Sequence, residues 1–163
     1  MNTNSTTRRT FTAIAVAAAL GATAISSQAR AEYVEPNIEH PAYGEVRMVV
    51  PIATDDEWVW TFRLRNIGNA IRGAADWEGE TRVKVELYGP GLRMLVDPSD
   101  KLAASIDYLR GEGVEFEVCN NTMRALDLNW QSLYGVEEKD IVPSGFLEVA
   151  WLANEGWAVN PMY

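Results

Sequence analysis

From Glu45 onward the apolar residues of this chain fall into two alternating patterns: short runs that are nearly continuous, and longer stretches in which they return every three or four positions. Val46, Met48, Val49, Val50 and Ile52 make the first short run, as expected of a strand covered on both faces. Asp55, Asp56 and Glu57 then read as a helix start, and Trp60, Leu64, Ile67, Ile71 and Ala74 share one face of that helix to about Trp77. A second strand over Val83, Val85, Leu87 and Tyr88 ends at Gly89-Pro90-Gly91, after which Leu92 to Val96 begins a short helical turn. Lys101 to Gly111 reads as a helix with Leu102, Ile106 and Leu109 inward. A third strand over Val114 to Val118 leads to Cys119, followed by a helix over about Asn121 to Leu126 and a shorter turn around Trp130 to Leu133. Asp140 to Val142 is a short fourth strand, Phe146 to Glu155 a last helix ended by Gly156, and Trp157 to Val159 a last strand. Strands alternating with helices in this way predict a three-layer α/β/α domain over residues 44–163, built on a mostly parallel sheet of about five strands.

The first 31 residues follow a different rule. Arg8-Arg9 precedes an apolar, alanine-rich run from about Ala13 to Ile25, and Ala29-Arg30-Ala31 forms an A-x-A cleavage site. Thr7-Arg8-Arg9-Thr10-Phe11 has the form of a twin-arginine export signal. The apolar run is shorter than the roughly 20 residues a membrane span needs, so the segment predicts cleavage near Ala31 and a periplasmic mature protein with no membrane span. Residues 32–43, with Pro36, His40 and Pro41, show no periodicity and read as an extended arm. Of the 14 basic residues, Arg8, Arg9 and Arg30 leave with the signal. The mature 132 residues then carry 11 basic against 23 acidic residues, a net charge of −12 that disfavours nucleic acid as a partner. That length supports one core.

Cys119 is the only cysteine, ending a strand and opening Asn120-Asn121-Thr122, which reads as a helix cap. No disulfide partner exists within the chain, and a helix N-terminus favours a thiolate. The other reading is a buried cysteine that packs as a small apolar residue.

Several segments together resemble the DsrE/DsrF-like, sulfur-relay-related family, in particular its small exported members. They are Leu64-Arg65-Asn66-Ile67, the turn Tyr88-Gly89-Pro90-Gly91-Leu92-Arg93-Met94-Leu95, the stretch Gly113 to Thr122 around Cys119, and Val142-Pro143-Ser144-Gly145 followed by Glu155-Gly156-Trp157. They occur in the family's order and span nearly all of the mature chain. The resemblance implies a flavodoxin-like parallel sheet, assembly into homo- or hetero-oligomers, and a cysteine after a central strand that carries a persulfide. Cys119 stands at that position, which implies a sulfur donor or acceptor protein as a partner.

Ligands of open α/β sheets bind beyond the carboxyl ends of the strands, which gathers Cys119, Gly89, Gly91, Arg93, Asn120, Asn121, Thr122 and Ser144 into one candidate site. Gly89-x-Gly91 lacks the third glycine and the lysine of phosphate-binding loops and reads as a strand-to-helix turn. Ser144 has neither an adjacent base nor a nucleophile-elbow motif, so it reads as the N-cap of the last helix. His40 with Asp55, Asp56 and Glu57 gives no metal-ligand spacing, and no metal or other cofactor is expected. The last helix carries two apolar stripes: Phe146, Val149, Ala150 and Ala153 on one side, Leu147 and Trp151 on another. One stripe is expected to pack on the sheet and the other to bury itself in a homo-oligomer. The functional expectation is a sulfur carrier using Cys119; the alternative is a non-catalytic oligomeric binding or scaffold module whose cysteine is structural.

Overall fold

The structure, a computed structural model, describes residues 42–161. The export segment, its cleavage site and the arm as far as Pro41, including His40, lie outside the described residues. Strand β1 (Gly44–Ile52) is followed by helix α1 (Glu57–Asp76) and strand β2 (Gly79–Leu87). A 3-10 segment (Gly89–Leu95) leads into α2 (Asp100–Gly111), β3 (Glu115–Cys119) and α3 (Asn120–Ala125). After two 3-10 turns come β4 (Ile141–Val142), α4 (Gly145–Asn154) and β5 (Ala158–Val159). The five strands form one all-parallel sheet in the order β4-β3-β2-β1-β5, a flavodoxin-like three-layer α/β/α arrangement.

The elements form where local chemistry starts and stops them. Asp56 caps α1 by accepting the N–H groups of Trp58 and Val59 on its Oδ1, at 2.8 and 3.3 Å. Ser99 caps α2, and Ser144 caps α4 by accepting the Leu147 N–H at 3.4 Å. Two starts differ from the sequence reading. The helical turn after β2 begins at Gly89, because Pro90 carries the backbone φ of a first helical turn and needs no N–H there. Helix α3 begins at Asn120, so its cap is Cys119 itself and the Asn-Asn-Thr run is its first turn.

The chain steps in one direction from β1 to β4 and then returns across the sheet to place β5 beside β1. Right-handed crossovers therefore put α1, α2 and α3 on one face and α4 alone on the other. The continuous core lies on the first face. Leu64 and Ile67 of α1, Ile106 and Leu109 of α2 and Met123 of α3 close over Val50, Val85, Leu87, Phe116 and Val118. Each large side chain buried there stabilises the fold by about 1.5 to 3 kcal/mol. At its margin Arg63 of α1 is buried, with Nη1 donating to Asn160 Oδ1 at 2.9 Å and Nη2 to the Pro161 carbonyl, which ties the chain after β5 to α1.

Helix α4 is turned differently from what its apolar stripes suggest. Gly145 and Leu152 are buried against the sheet and Glu148 and Val149 half-buried, whereas Phe146, Leu147 and Trp151 are 74, 65 and 53% exposed. Neither predicted stripe packs on the sheet as a unit. The rotation follows from clearance: a β-carbon on Gly145 would lie 3.2 Å from Tyr88 Cβ and 3.3 Å from Glu86 Oε2, so the residue without a side chain is the one that faces inward.

Gly91 solves a similar problem. A β-carbon there would stand 2.0 Å from the Ile52 carbonyl oxygen, against backbone that cannot give way. Its place in the turn is steric, and it does not line the candidate site. Gly91→Ala is expected to lower the unfolding free energy by about 3 kcal/mol or more, read as a lower urea midpoint; an unchanged midpoint would show that the turn relaxes freely.

Candidate functional site

Cys119 ends β3 at the carboxyl edge of the sheet, with Val142 of β4 as its cross-strand partner. It is 4% exposed. Burial raises the cost of ionising the thiol, yet the balance leaves it below the ordinary thiol value, because the Thr122 hydroxyl and the backbone N–H groups of Gly145, Thr122 and Asn121 all favour the charged sulfur. No side-chain cap hydrogen bond closes to the first turn of α3. These groups therefore act on Sγ as oriented dipoles from two helices.

Thr122 is itself held in place. Its buried Oγ1 accepts the Gly89 N–H at 2.8 Å, which occupies an oxygen lone pair and leaves the hydroxyl proton for the sulfur. Gly89 reaches this position at φ +53, in the left-handed region that suits glycine. The first residue of the turn after β2 thus orients the donor that faces Cys119.

Four of the residues expected at the site, Gly89, Arg93, Asn121 and Thr122, line one cleft of about 350 Å³ together with Asp55 and Pro90. Arg93 is exposed there and makes no ion pair among the described residues. Asn120, half-buried, opens α3, and Ser144 stands on the other side of Cys119, where it positions Gly145. Among the described residues no group of three His, Cys, Asp or Glu side chains is placed to hold a metal ion.

A second group of residues, missed in the sequence reading, lies under α4. Glu86 and Glu117 are cross-strand neighbours in register, as are Lys84 and Glu115. All four share the sheet face that bears Cys119. Lys84 forms an ion pair with Glu117 and a second with Glu115 at 3.1 Å. Its Nζ also lies 5.9 Å from the centre of the Trp157 ring. Burial alone would lower the ammonium's pKa, but bonds to the two glutamates bring it above the usual lysine value.

Glu86 is fully buried, and neither carboxyl oxygen has a hydrogen-bond partner at ordinary geometry. Burial, reinforced by interaction with Glu117 and by the charges of Glu117 and Glu148, pushes it up to about 10, with Lys84 opposing weakly. Glu86 is a neutral acid at neutral pH. Glu148 on α4 is raised as well, by burial and then by Glu117. The signal for this cluster was present in the alternation Arg82-Val83-Lys84-Val85-Glu86-Leu87 and Glu115-Phe116-Glu117-Val118. Strands of a parallel sheet covered on both faces are usually continuous in apolar residues, so alternation marks a polar face.

No family model matches the chain, and no curated protein matches it. Among solved structures, the protein of unknown function MTH1491 from Methanobacterium thermoautotrophicum is similar, with a TM-score of 0.60 at 31% sequence identity, over 70% of this chain and 96% of that one. The chain belongs to the family of that protein. The likeness carries the α/β fold; it carries no reaction.

The Glu86 proton makes stability depend on pH. The folded state keeps a proton that the unfolded state releases near 4.5, so the stability is fully present below that value and is lost as pH rises through about 10. Glu86→Gln stays neutral throughout. Its melting temperature is expected to gain on the native protein progressively between about pH 5 and about pH 9; parallel melting curves across that range would contradict a neutral Glu86.

Proposed function

We propose that this chain is an exported DsrE-like sulfur carrier that holds a sulfane sulfur as a persulfide on Cys119. The observation that supports this reading is a thiol whose pKa is lowered despite burial, by the backbone N–H groups of α3 and α4 and the Thr122 hydroxyl converging on one sulfur. The Cys119 thiolate attacks the outer sulfur of a donor persulfide, a new S–S bond forms at Sγ, and the donor's own S–S bond breaks to release its thiolate. An acceptor thiolate then attacks the outer sulfur on Cys119, and the electron pair of the broken bond returns to Sγ. The two steps need no external oxidant or reductant. Sulfur enters from one thiol compound and leaves on another, which makes the protein a carrier and gives it a donor or acceptor protein as partner.

A second reading has one observation in its favour, the 4% exposure of Cys119: the chain is a scaffold and the thiol packs in it. Incubation with inorganic polysulfide at about pH 7, where a lowered thiol is partly ionised, separates the two. The carrier gains the mass of one sulfur in the native state, Cys119→Ser does not, and Thr122→Val, which removes the hydroxyl facing Sγ, gains it several-fold more slowly. A native protein that gains no sulfur until denaturant is added is a scaffold.

The exposed outer face of α4, with Phe146, Leu147 and Trp151, supports assembly into a homo-oligomer. Phe146 extends that face onto Tyr88 through an edge-on ring contact at 6.1 Å. Light scattering is expected to give a multiple of the single-chain mass, and the double change Leu147→Glu, Trp151→Glu to reduce it to one chain. A native protein of single-chain mass at micromolar concentration would remove this element of the proposal.

A further inference from the structure

Burial closes off the thiol that the proposed chemistry needs, and the element that closes it is held loosely. Among the described residues α4 is the only helix on its face of the sheet, and only Gly145 and Leu152 of its ten residues are fully buried. On one flank a groove of about 460 Å³ opens between it and the end of β1, lined by Pro51, Ala53, Tyr88, Val149 and Val159. Beneath it lie the charges of Lys84 and Glu117, and no continuous apolar core. The point of closest approach is its first residue. Gly145 directs its N–H toward Cys119 Sγ, while a β-carbon on it would crowd the Tyr88 and Glu86 side chains at 3.2 and 3.3 Å.

Glu86 thus lies under the same residue that covers the thiol, and its two carboxyl oxygens are buried without partners. Every element packed there contributes to its surroundings. Lys84 lies on its own strand and Tyr88 just after it, Glu117 and Glu115 on β3 and Glu148 on α4, while β1 offers the uncharged Pro51. Three carboxylates face one ammonium. A charge on Glu86 would add to the excess negative side and oppose Glu117 from β3 and Glu148 from α4 together.

We propose that Glu86 is a positioning residue for Cys119: its uncharged carboxyl lets the first turn of α4 close over the thiol, and its ionisation lifts that turn and opens Sγ to solvent. Closed, the site has the Gly145 N–H directed at the sulfur and excludes all but the smallest reagents. Open, it loses that donor and admits a larger donor or acceptor. The same proton that allows α4 to dock therefore regulates access to the thiol. This inference rests on Cys119 being the reacting group, but not on sulfur being its cargo.

The test is the rate of Cys119 alkylation by iodoacetamide in the intact folded protein, measured from about pH 6 to about pH 11, with circular dichroism at each point. A thiol that simply ionises gives a rate that rises once and levels off. The native protein is expected to show a second rise, about tenfold, on the alkaline side while its helical signal persists, and Glu86→Gln is expected to show only the first. Gly145→Ala, which crowds Tyr88 and Glu86 and displaces the first turn of α4, should be alkylated several-fold faster than the native protein already at neutral pH. A single-step native profile overturns the proposal whether or not Glu86→Gln folds. So does a second rise of equal size in Glu86→Gln. Because iodoacetamide reports access and polysulfide reports cargo, a protein that passes this test and fails to take up sulfur leaves the gating intact and removes the carrier.

Discussion

Two carboxyls held side by side on a sheet face, away from water, cannot both be charged, and the rest of this fold is arranged around that constraint. Lys84 neutralises Glu117, and Glu86 keeps its proton. The helix that covers them must then tolerate a polar surface, which accounts for the composition of α4: a glycine where it touches, a glutamate beside Lys84 and Glu117, and its large apolar residues turned outward. The opposite face carries the whole continuous apolar core. The two layers of helices thus have different tasks, one holding the sheet together and the other sitting over its chemistry.

At Cys119 burial and dipoles oppose each other. Removing the thiol from water favours the neutral form, and several donors around one sulfur outweigh that preference. The Gly89–Thr122 hydrogen bond gives the hydroxyl a fixed orientation, so the outcome depends on a backbone N–H one strand away. Access to that sulfur is set by its burial, because the cleft lined by Thr122 and the exposed Arg93 does not include Cys119 among its lining residues.

Much of this was legible from the chain alone. Element order, the inward face of α1 around Trp60, Leu64 and Ile67, the caps at Asp56 and Ser144, and the place of Cys119 at a strand end all follow from periodicity and capping chemistry, which act within a few residues. What was hidden depends on contact through space. The rotation of α4 is decided by the clearance above Tyr88 and Glu86, and two apolar stripes on one helix give no means of choosing between them. Gly91 looks like part of a loop until the Ile52 carbonyl is placed against it. The charged cluster was visible as alternation in β2 and β3, but a reading that tracks apolar positions passes over the polar positions between them.

The strand order has a kinetic side. β5, the last of the described strands, pairs with β1, the first of them, and it covers only Met48 and Val49 of that nine-residue strand. Until β5 docks, the outer edge of β1 is an unsatisfied row of backbone donors and acceptors, open to any extended chain that reaches it. Closing that edge joins the two ends of the described chain, a pairing of high contact order and correspondingly slow formation.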